Sequence, residues 1–549
     1  MTTPPADRCG YTYPSDPPDT GADSTHGGCC CCRPSWGDHD RCVWHVKTAD
    51  PKPIEELRRT RETAANRGRN RSGTMPGAAE RLDGARLSGD LVAIDFDGCS
   101  LLGVDFSEAV LNRGSFVGAD LQGADLSAAS FYTADFTGAN LTAADLMGAN
   151  LQETVFTDAT LAGANLDESF SYKAVCSRAD LGGARLVGAD LRQSTLDAAD
   201  LTAADLTEAR LQDADLSEAV LREATLSGGQ LADTDLTGAD LTASSFHTAL
   251  LPRADLRETT LAGASFRDAD ASEADVRATD LSGATFSGTD LSGATLSTAG
   301  LVGVDLADCR FDGASLREAD LGEATLTDVS LVDADCTGCD LTGATIHKST
   351  LREATLAAAD LTDVELTDST LAGADLGRST MMAATLADVD AREIDCTGAT
   401  ISESTLETTD LTDAVLTDAT LADSTVDRST LSGATLSGAT LSAVSARGTD
   451  FADTDFRMAR LTDVDCSGAE LSGCGFQDVD LSTVTFAGAE LTDASLRGAN
   501  LSGTDCSEAT LAGATLDECV ADGTVFTSAT LTDALLREVD LTSATLTDC

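Results

Sequence analysis

Lysine is almost missing from this chain. Among 549 residues only Lys47, Lys52, Lys173 and Lys348 are lysine, and 36 basic residues stand against 92 acidic ones, for a net charge of −56. Histidine is as scarce: of five, only His247 and His347 lie beyond residue 80, a hundred residues apart, so they cannot share a proton or a metal. Long apolar runs are absent, and Met1–Gly10 does not read as a secretory leader, which makes a reducing cytoplasm the expected compartment. No phosphate-binding Gly-rich loop or nucleophile elbow appears, and no inserted loop interrupts the long C-terminal part to form a pocket. These absences argue against an enzyme. Both tryptophans, Trp36 and Trp44, and six of the 17 cysteines fall within the first 45 residues, so that segment is chemically separate from the rest.

What is present is a repeat of five. From Leu91 to Leu546 every fifth residue is apolar across 92 successive positions, Ser171 alone excepted. A stretch such as Ala119-Asp120-Leu121-Gln122-Gly123 shows the unit: a small residue, Asp/Asn/Thr, a central Leu, then two polar or small residues. A period of five fits neither a helix at 3.6 nor a strand at 2, and it requires an architecture in which each unit is stable only when stacked on neighbours. The phenylalanines give the number of units per turn. Fifteen of sixteen occupy central positions, and Phe96, Phe116, Phe136 and Phe156 are spaced by twenty, as are Phe246, Phe266 and Phe286, and Phe456 and Phe476. Rings stack at that interval if four pentapeptides make one coil. The 92 centres then fill about 23 coils, a tower of about 110 Å at ~4.8 Å per stacked strand.

In these motifs, and in Ala139-Asn140-Leu141 and Ala149-Asn150-Leu151, the chain resembles the pentapeptide-repeat family over about five-sixths of its length. The resemblance implies an all-β fold, a right-handed quadrilateral parallel β-helix. The central residue and the small residue two places before it would point inward, the other three outward. Physical reading agrees, because each buried Leu contributes about 2 kcal/mol of transfer free energy and stability grows coil by coil.

The cysteines form two populations. Eleven lie in the repeat, at centres or at the small inward position, and read as buried small hydrophobes. The other six are Cys9, Cys29, Cys30, Cys31, Cys32 and Cys42, with His45 beside them. Thiolates and an imidazole in a short segment with little core are the ligands of a structural zinc site, for which Cys9, Cys29, Cys32, Cys42 and His45 are the candidates. A disulfide-linked or thiol-rich segment is the other reading, since four consecutive cysteines cannot all bind one ion.

Three parts follow: a Cys/Trp/His-rich segment over 1–47, a connector over 48–80 and the β-helix over 81–549. Asp50-Pro51, with Glu55 and Glu56 behind it, reads as the start of a short helix. Leu82 and Leu87 are one residue out of phase with Leu91, so an irregular first coil is expected. Residues 1–80 hold 11 basic and 11 acidic residues, so the whole net charge belongs to the repeat. Solvation of a salt-adapted, halophile-type protein explains such acidity, as does mimicry of nucleic acid. The family resemblance implies for the second case a DNA-mimicking protein that binds and regulates DNA gyrase or another topoisomerase. The connector arginines, Arg58 to Arg71, find their simplest partners within the acidic chain.

One surface irregularity is a candidate docking patch. Ser171 is flanked by Phe170 and Tyr172 at outward positions, Tyr132 lies two coils earlier on the same side, and Lys173 and Arg178 add scarce positive charge. A local defect, with Phe170 or Tyr172 folded inward in place of Ser171, is the competing expectation. The resemblance also implies a homodimer through the C-terminal coil. Together these readings describe a non-catalytic, rod-shaped scaffold that presents an acidic surface to a macromolecular protein partner, with no membrane association.

Overall fold

The computed structural model describes residues 82–549, which form two compact units, one ending at Asp255 and the other running from Leu256 to Cys549. The zinc candidates Cys9, Cys29, Cys32, Cys42 and His45 and the helical connector lie outside the described residues. Among the described residues every regular element is β.

The pentapeptide follows from the fate of its five backbone N–H groups, none of which can be buried unpaired. In the coil at Leu121 the central N–H donates to the Asn140 carbonyl and the Gly123 N–H to Thr142, both one coil on. The Asp120 N–H donates back to Cys99, and the Ala124 N–H closes a tight turn on the Leu121 carbonyl at 3.0 Å. One donor is left, on the residue after the centre. Asp120 captures it from the side, Gln122 N–H to Oδ1 at 3.4 Å, in an Asx turn. This is why the residue before each centre is so often Asp or Asn. The turn also needs positive φ two places after the centre, where Gly123 sits at 62° and Glu108 at 58°.

Pairing repeats at twenty residues in both units, for example Asp105 with Asp125 and Asp320 with Asp340, always parallel. Four pentapeptides therefore close one coil. In the second unit some pairings lengthen into strands: β1 (Thr325–Thr327), β2 (Thr345–His347), β3 (Glu365–Thr367), β4 (Thr380–Met382), β5 (Thr385–Ala387), β6 (Thr400–Ser402), β7 (Thr405–Glu407), β8 (Thr420–Ala422), β9 (Thr440–Ser442) and β10 (Arg460–Thr462). They make two parallel sheets, β1-β2-β3-β5-β7 and β10-β9-β8-β6-β4. Each opens with Thr, Glu or Arg, never Asp or Asn, so none of the ten begins with an Asx turn. At Val329, Ala384 and Ser404 the N–H that would have closed the turn donates instead to a buried serine hydroxyl one coil on.

The core matches the inward pattern. Phe136 stacks on Phe116 at 4.5 Å and on Phe156 at 5.1 Å, Phe266 on Phe286 at 5.3 Å, and Phe456 on Phe476 at 4.7 Å. The first coil is one residue short: Leu82 N–H reaches Ser100, eighteen residues on, where Leu91 reaches Val110, nineteen on. At most positions where the small inward residue is polar, it has a fixed partner. Thr454 donates to the Leu431 carbonyl at 2.8 Å, Thr504 to Leu481 at 2.9 Å, and the Cys474 thiol to Phe451 at 2.9 Å. Thr, Ser and Cys are interchangeable there because each offers one donor. Thr454→Val is therefore expected to cost about 1 kcal/mol in urea unfolding. Ser379→Ala should cost nothing, since the buried Ser379 Oγ has no hydrogen-bond partner.

Candidate interaction sides

Ser171 stays inside. It is 2 % exposed, and its hydroxyl sits 3.1 Å from that of the equally buried Ser169. Phe170 points out and is 58 % exposed, so the expectation that an aromatic ring folds inward to replace Ser171 is corrected. The two serines satisfy each other, which removes the penalty that would have drawn a ring in. Tyr172 lies along the surface, its hydroxyl donating to Gln193 Oε1 at 2.8 Å. Lys173 Nζ and Arg192 Cζ approach its ring, at 5.3 and 5.9 Å from the centroid.

Tyr132 shares this side, in the column of pentapeptides centred on 111, 131, 151 and so on to 251. Arg178 does not. It belongs to the next side round, centred on Cys176, and is held there by Asp158 through paired hydrogen bonds of 2.8 and 2.9 Å. Arg113, Arg192, Arg210 and Arg253 do share the Tyr132 side, and sequence reading had missed them. The signal was available: their numbers fall in the same phase of twenty.

Charge in the first unit is divided unevenly among the four sides. Between residues 91 and 255 there are 26 acidic and eight basic residues. The Tyr132–Phe170 side holds four of the acidic ones (Glu153, Asp190, Asp213, Asp233) and five of the basic ones (Arg113, Lys173, Arg192, Arg210, Arg253). The other three sides share 22 acidic and three basic residues.

Carboxylates on the acidic sides stand in columns. Asp105, Asp125 and Asp145 are stacked in the first unit, and Asp320, Asp340 and Asp360 in the second. Each is pinned by its own turn: Asp125 Oδ1 accepts from the Ser127 amide at 3.1 Å and its hydroxyl at 2.6 Å. Such donors favour the charged form. The Ser282 hydroxyl and amide hold the Asp280 carboxyl below its usual range, and those of Ser482 do the same for Asp480. Asp190 is lowered chiefly by Arg192, which grips it at 2.8 and 2.6 Å, and desolvation opposes the shift. Because its folded pKa lies below the unfolded value, this pair stabilises the fold above the ordinary Asp pKa of about 3.8 and stops doing so as pH falls through the folded value. Asp190→Asn should flatten that limb of an acid titration followed by circular dichroism.

The repeat cysteines are buried, apart from the exposed Cys549. Burial pushes the thiols of Cys176, Cys396 and Cys466 up to about 12, which makes them poor nucleophiles. Cys336-Thr337-Gly338-Cys339 has Cys-x-x-Cys spacing, which sequence reading overlooked. Its neighbour Cys339, together with burial, drives the Cys336 thiol well above its usual value, the opposite of a redox-active pair. His347 lies against Thr367 at 2.9 Å and Asp368 at 3.6 Å. Among the described residues no group of three or more His, Cys, Asp or Glu is placed to hold a metal, and no helix is long and apolar enough to cross a membrane.

Comparison with known proteins accords with this geometry. A family described as a pentapeptide repeat region matches residues 90–166 and 304–381. A second, pentapeptide repeats in eight copies, matches overlapping windows that span 174–317 and 394–542. No curated protein matches. Among solved structures the chain is similar to HetL, a pentapeptide repeat protein involved in heterocyst differentiation regulation from the cyanobacterium Nostoc sp. Strain PCC 7120. The identity there is 27%, over 42% of this chain and 97% of that one, with a TM-score of 0.37. QnrB1, a plasmid-mediated fluoroquinolone resistance protein, is 20% identical over 33% of this chain and 90% of its own, with a TM-score of 0.23. A pentapeptide repeat protein of the Arabidopsis thaliana thylakoid lumen is 35% identical over 20% of this chain and 69% of its own, with a TM-score of 0.11. On the family matches, which cover more than half of its residues, this chain belongs to the pentapeptide-repeat family.

Proposed function

We propose that the chain is a non-catalytic binding scaffold that offers its acidic sides to a macromolecular partner. One observation carries this reading: where the turn takes a side-chain acceptor from the residue before the centre, it uses an acceptor and not a charge. Asn140 accepts the Thr142 amide at 3.1 Å and Asn165 the Asp167 amide at 3.1 Å, in the same turn that Asp125 makes. Asparagine would serve at every such position, so the excess of Asp is not demanded by the turn. Solvation in concentrated salt is one use for it, and recognition by a basic surface is the use proposed here. The test is a pull-down with immobilised full-length chain from an extract of the source organism, at its working salt. A partner retained there and displaced by polyglutamate is the expected result. A chain that retains only what polyglutamate cannot displace would overturn the reading.

A second reading rests on the columns themselves. Carboxylates repeated every ~4.8 Å along a side present charge at intervals like those of a nucleic-acid backbone, which suits a protein built to hold DNA, such as DNA gyrase. At molar salt the Debye length is about 3 Å, so direct contacts rather than long-range attraction would carry the affinity. Inhibition of gyrase supercoiling at low micromolar chain favours this reading. No effect at tens of micromolar removes gyrase and leaves the scaffold.

A further inference from the structure

All three outward-facing aromatics of the repeat, Tyr132, Phe170 and Tyr172, lie on the one side of the first unit that is not acidic. That coincidence of two independent features distinguishes the side from a chance defect. Phe170 is 58 % exposed and Leu250 is 48 % exposed in the same column, four coils away. Leucine and phenylalanine so exposed are not needed to build a coil, since Ser130 and Asn150 hold the same ladder position below them. Between the two apolar residues stand Asp190, which Arg192 neutralises, and the exposed Arg210. Arg253 is likewise engaged by Asp233 at 2.6 Å. Lys173 and Arg210 flank the aromatic cluster, and the side as a whole carries one more positive than negative charge, against a deficit of nineteen on the other three.

We propose that this side is a second docking surface, and that it takes an acidic polypeptide segment carrying aromatic anchors. The argument is one of charge and chemistry. An acidic partner is repelled by three sides of the unit and meets balanced charge only here, which fixes where it lands. Exposed aromatic and Arg groups supply the anchors that hold interfaces together. The ladder N–H and C=O groups are already used between coils, so recognition proceeds through side chains and not by strand addition. From Leu91 to Leu251 the side is about 38 Å long, room for an extended segment of about 11 residues. This inference rests on the reading of the chain as a binding scaffold and makes it two-sided, with a basic partner on the carboxylate columns and an acidic one here.

The test uses full-length chain and a fluorescent random copolymer of glutamate and tyrosine, with polyglutamate and polylysine alongside, by anisotropy at about 50 mM salt. The copolymer is expected to bind at least about ten-fold more tightly than polyglutamate. Phe170→Ser, and separately Lys173→Glu with Arg210→Glu, should each weaken it by about ten-fold or more and leave polylysine binding unchanged. Arg178→Glu with Arg185→Glu makes the same charge change on the two neighbouring sides and should have little effect. Absence of copolymer binding, or equal weakening by Arg178→Glu with Arg185→Glu, overturns the proposal. So does sedimentation showing that wild-type chain self-associates and that Phe170→Ser abolishes it, because the side would then cover a second copy. Loss of the copolymer result with polyglutamate-sensitive partner retention intact removes this inference alone.

Discussion

Phe456→Asp is expected to destabilise the second unit by at least about 5 kcal/mol, whereas Met458→Asp, two residues away, should stay within about 0.5 kcal/mol of wild type. Phe456 is 2 % exposed and stacked on Phe476, so the substitution removes a large buried ring and leaves a carboxylate with no partner inside. Met458 is 80 % exposed, with φ of 62°, a conformation that suits Asp better than Met. Coils are coupled only to their neighbours, so the loss should appear as local unravelling around 456 and a broadened urea transition. Hydrogen exchange would localise it: protection should fall at the amides of 437–476 and persist at those of 320–380. Equal effects of the two substitutions would mean that the five-residue phase has been misassigned.

Replacing Asp320, Asp340 and Asp360 together by Asn should raise the melting temperature at low salt. The three share one column at ~4.8 Å spacing, where each neighbouring pair of exposed carboxylates repels by at most about 1 kcal/mol. Asn keeps the acceptor that the turns at Thr342 and Thr362 require, at 2.9 and 3.0 Å. A gain of several degrees at about 50 mM salt should shrink to nothing near 2 M, because screening removes the repulsion in wild type. Scanning calorimetry across that range checks it. A variant that melts lower at both salts would show that the turns need charge after all.

The period of five and the spacing of Phe116, Phe136 and Phe156 made the coil legible, because a buried ring leaves few ways to satisfy both. The inward placement of Cys309 and Cys474 was legible for the same reason: only a small residue fits at that corner. Less could be read of the surface. Whether Phe170 or Ser171 faced inward was undecidable from pattern alone, since a hydroxyl pair with Ser169 is a tertiary fact. Arg178 was grouped with Tyr172 by closeness in sequence, although six residues are enough to turn a corner of the coil. Arg113 and Arg210 were overlooked because they are distant in sequence and adjacent only modulo twenty. At β1, β4 and β6 the N–H that would have closed the turn is taken by a serine one coil away, which no local window contains.

Most directly at issue is whether the carboxylate columns serve recognition or only solvation and folding. Calorimetry of the retained partner against wild-type chain and against a chain with Asp105, Asp125, Asp145, Asp320, Asp340 and Asp360 all changed to Asn answers this. The expected result is an unchanged circular dichroism spectrum with affinity lowered by about ten-fold or more. Full affinity in the neutralised chain, at the same salt, would contradict the account.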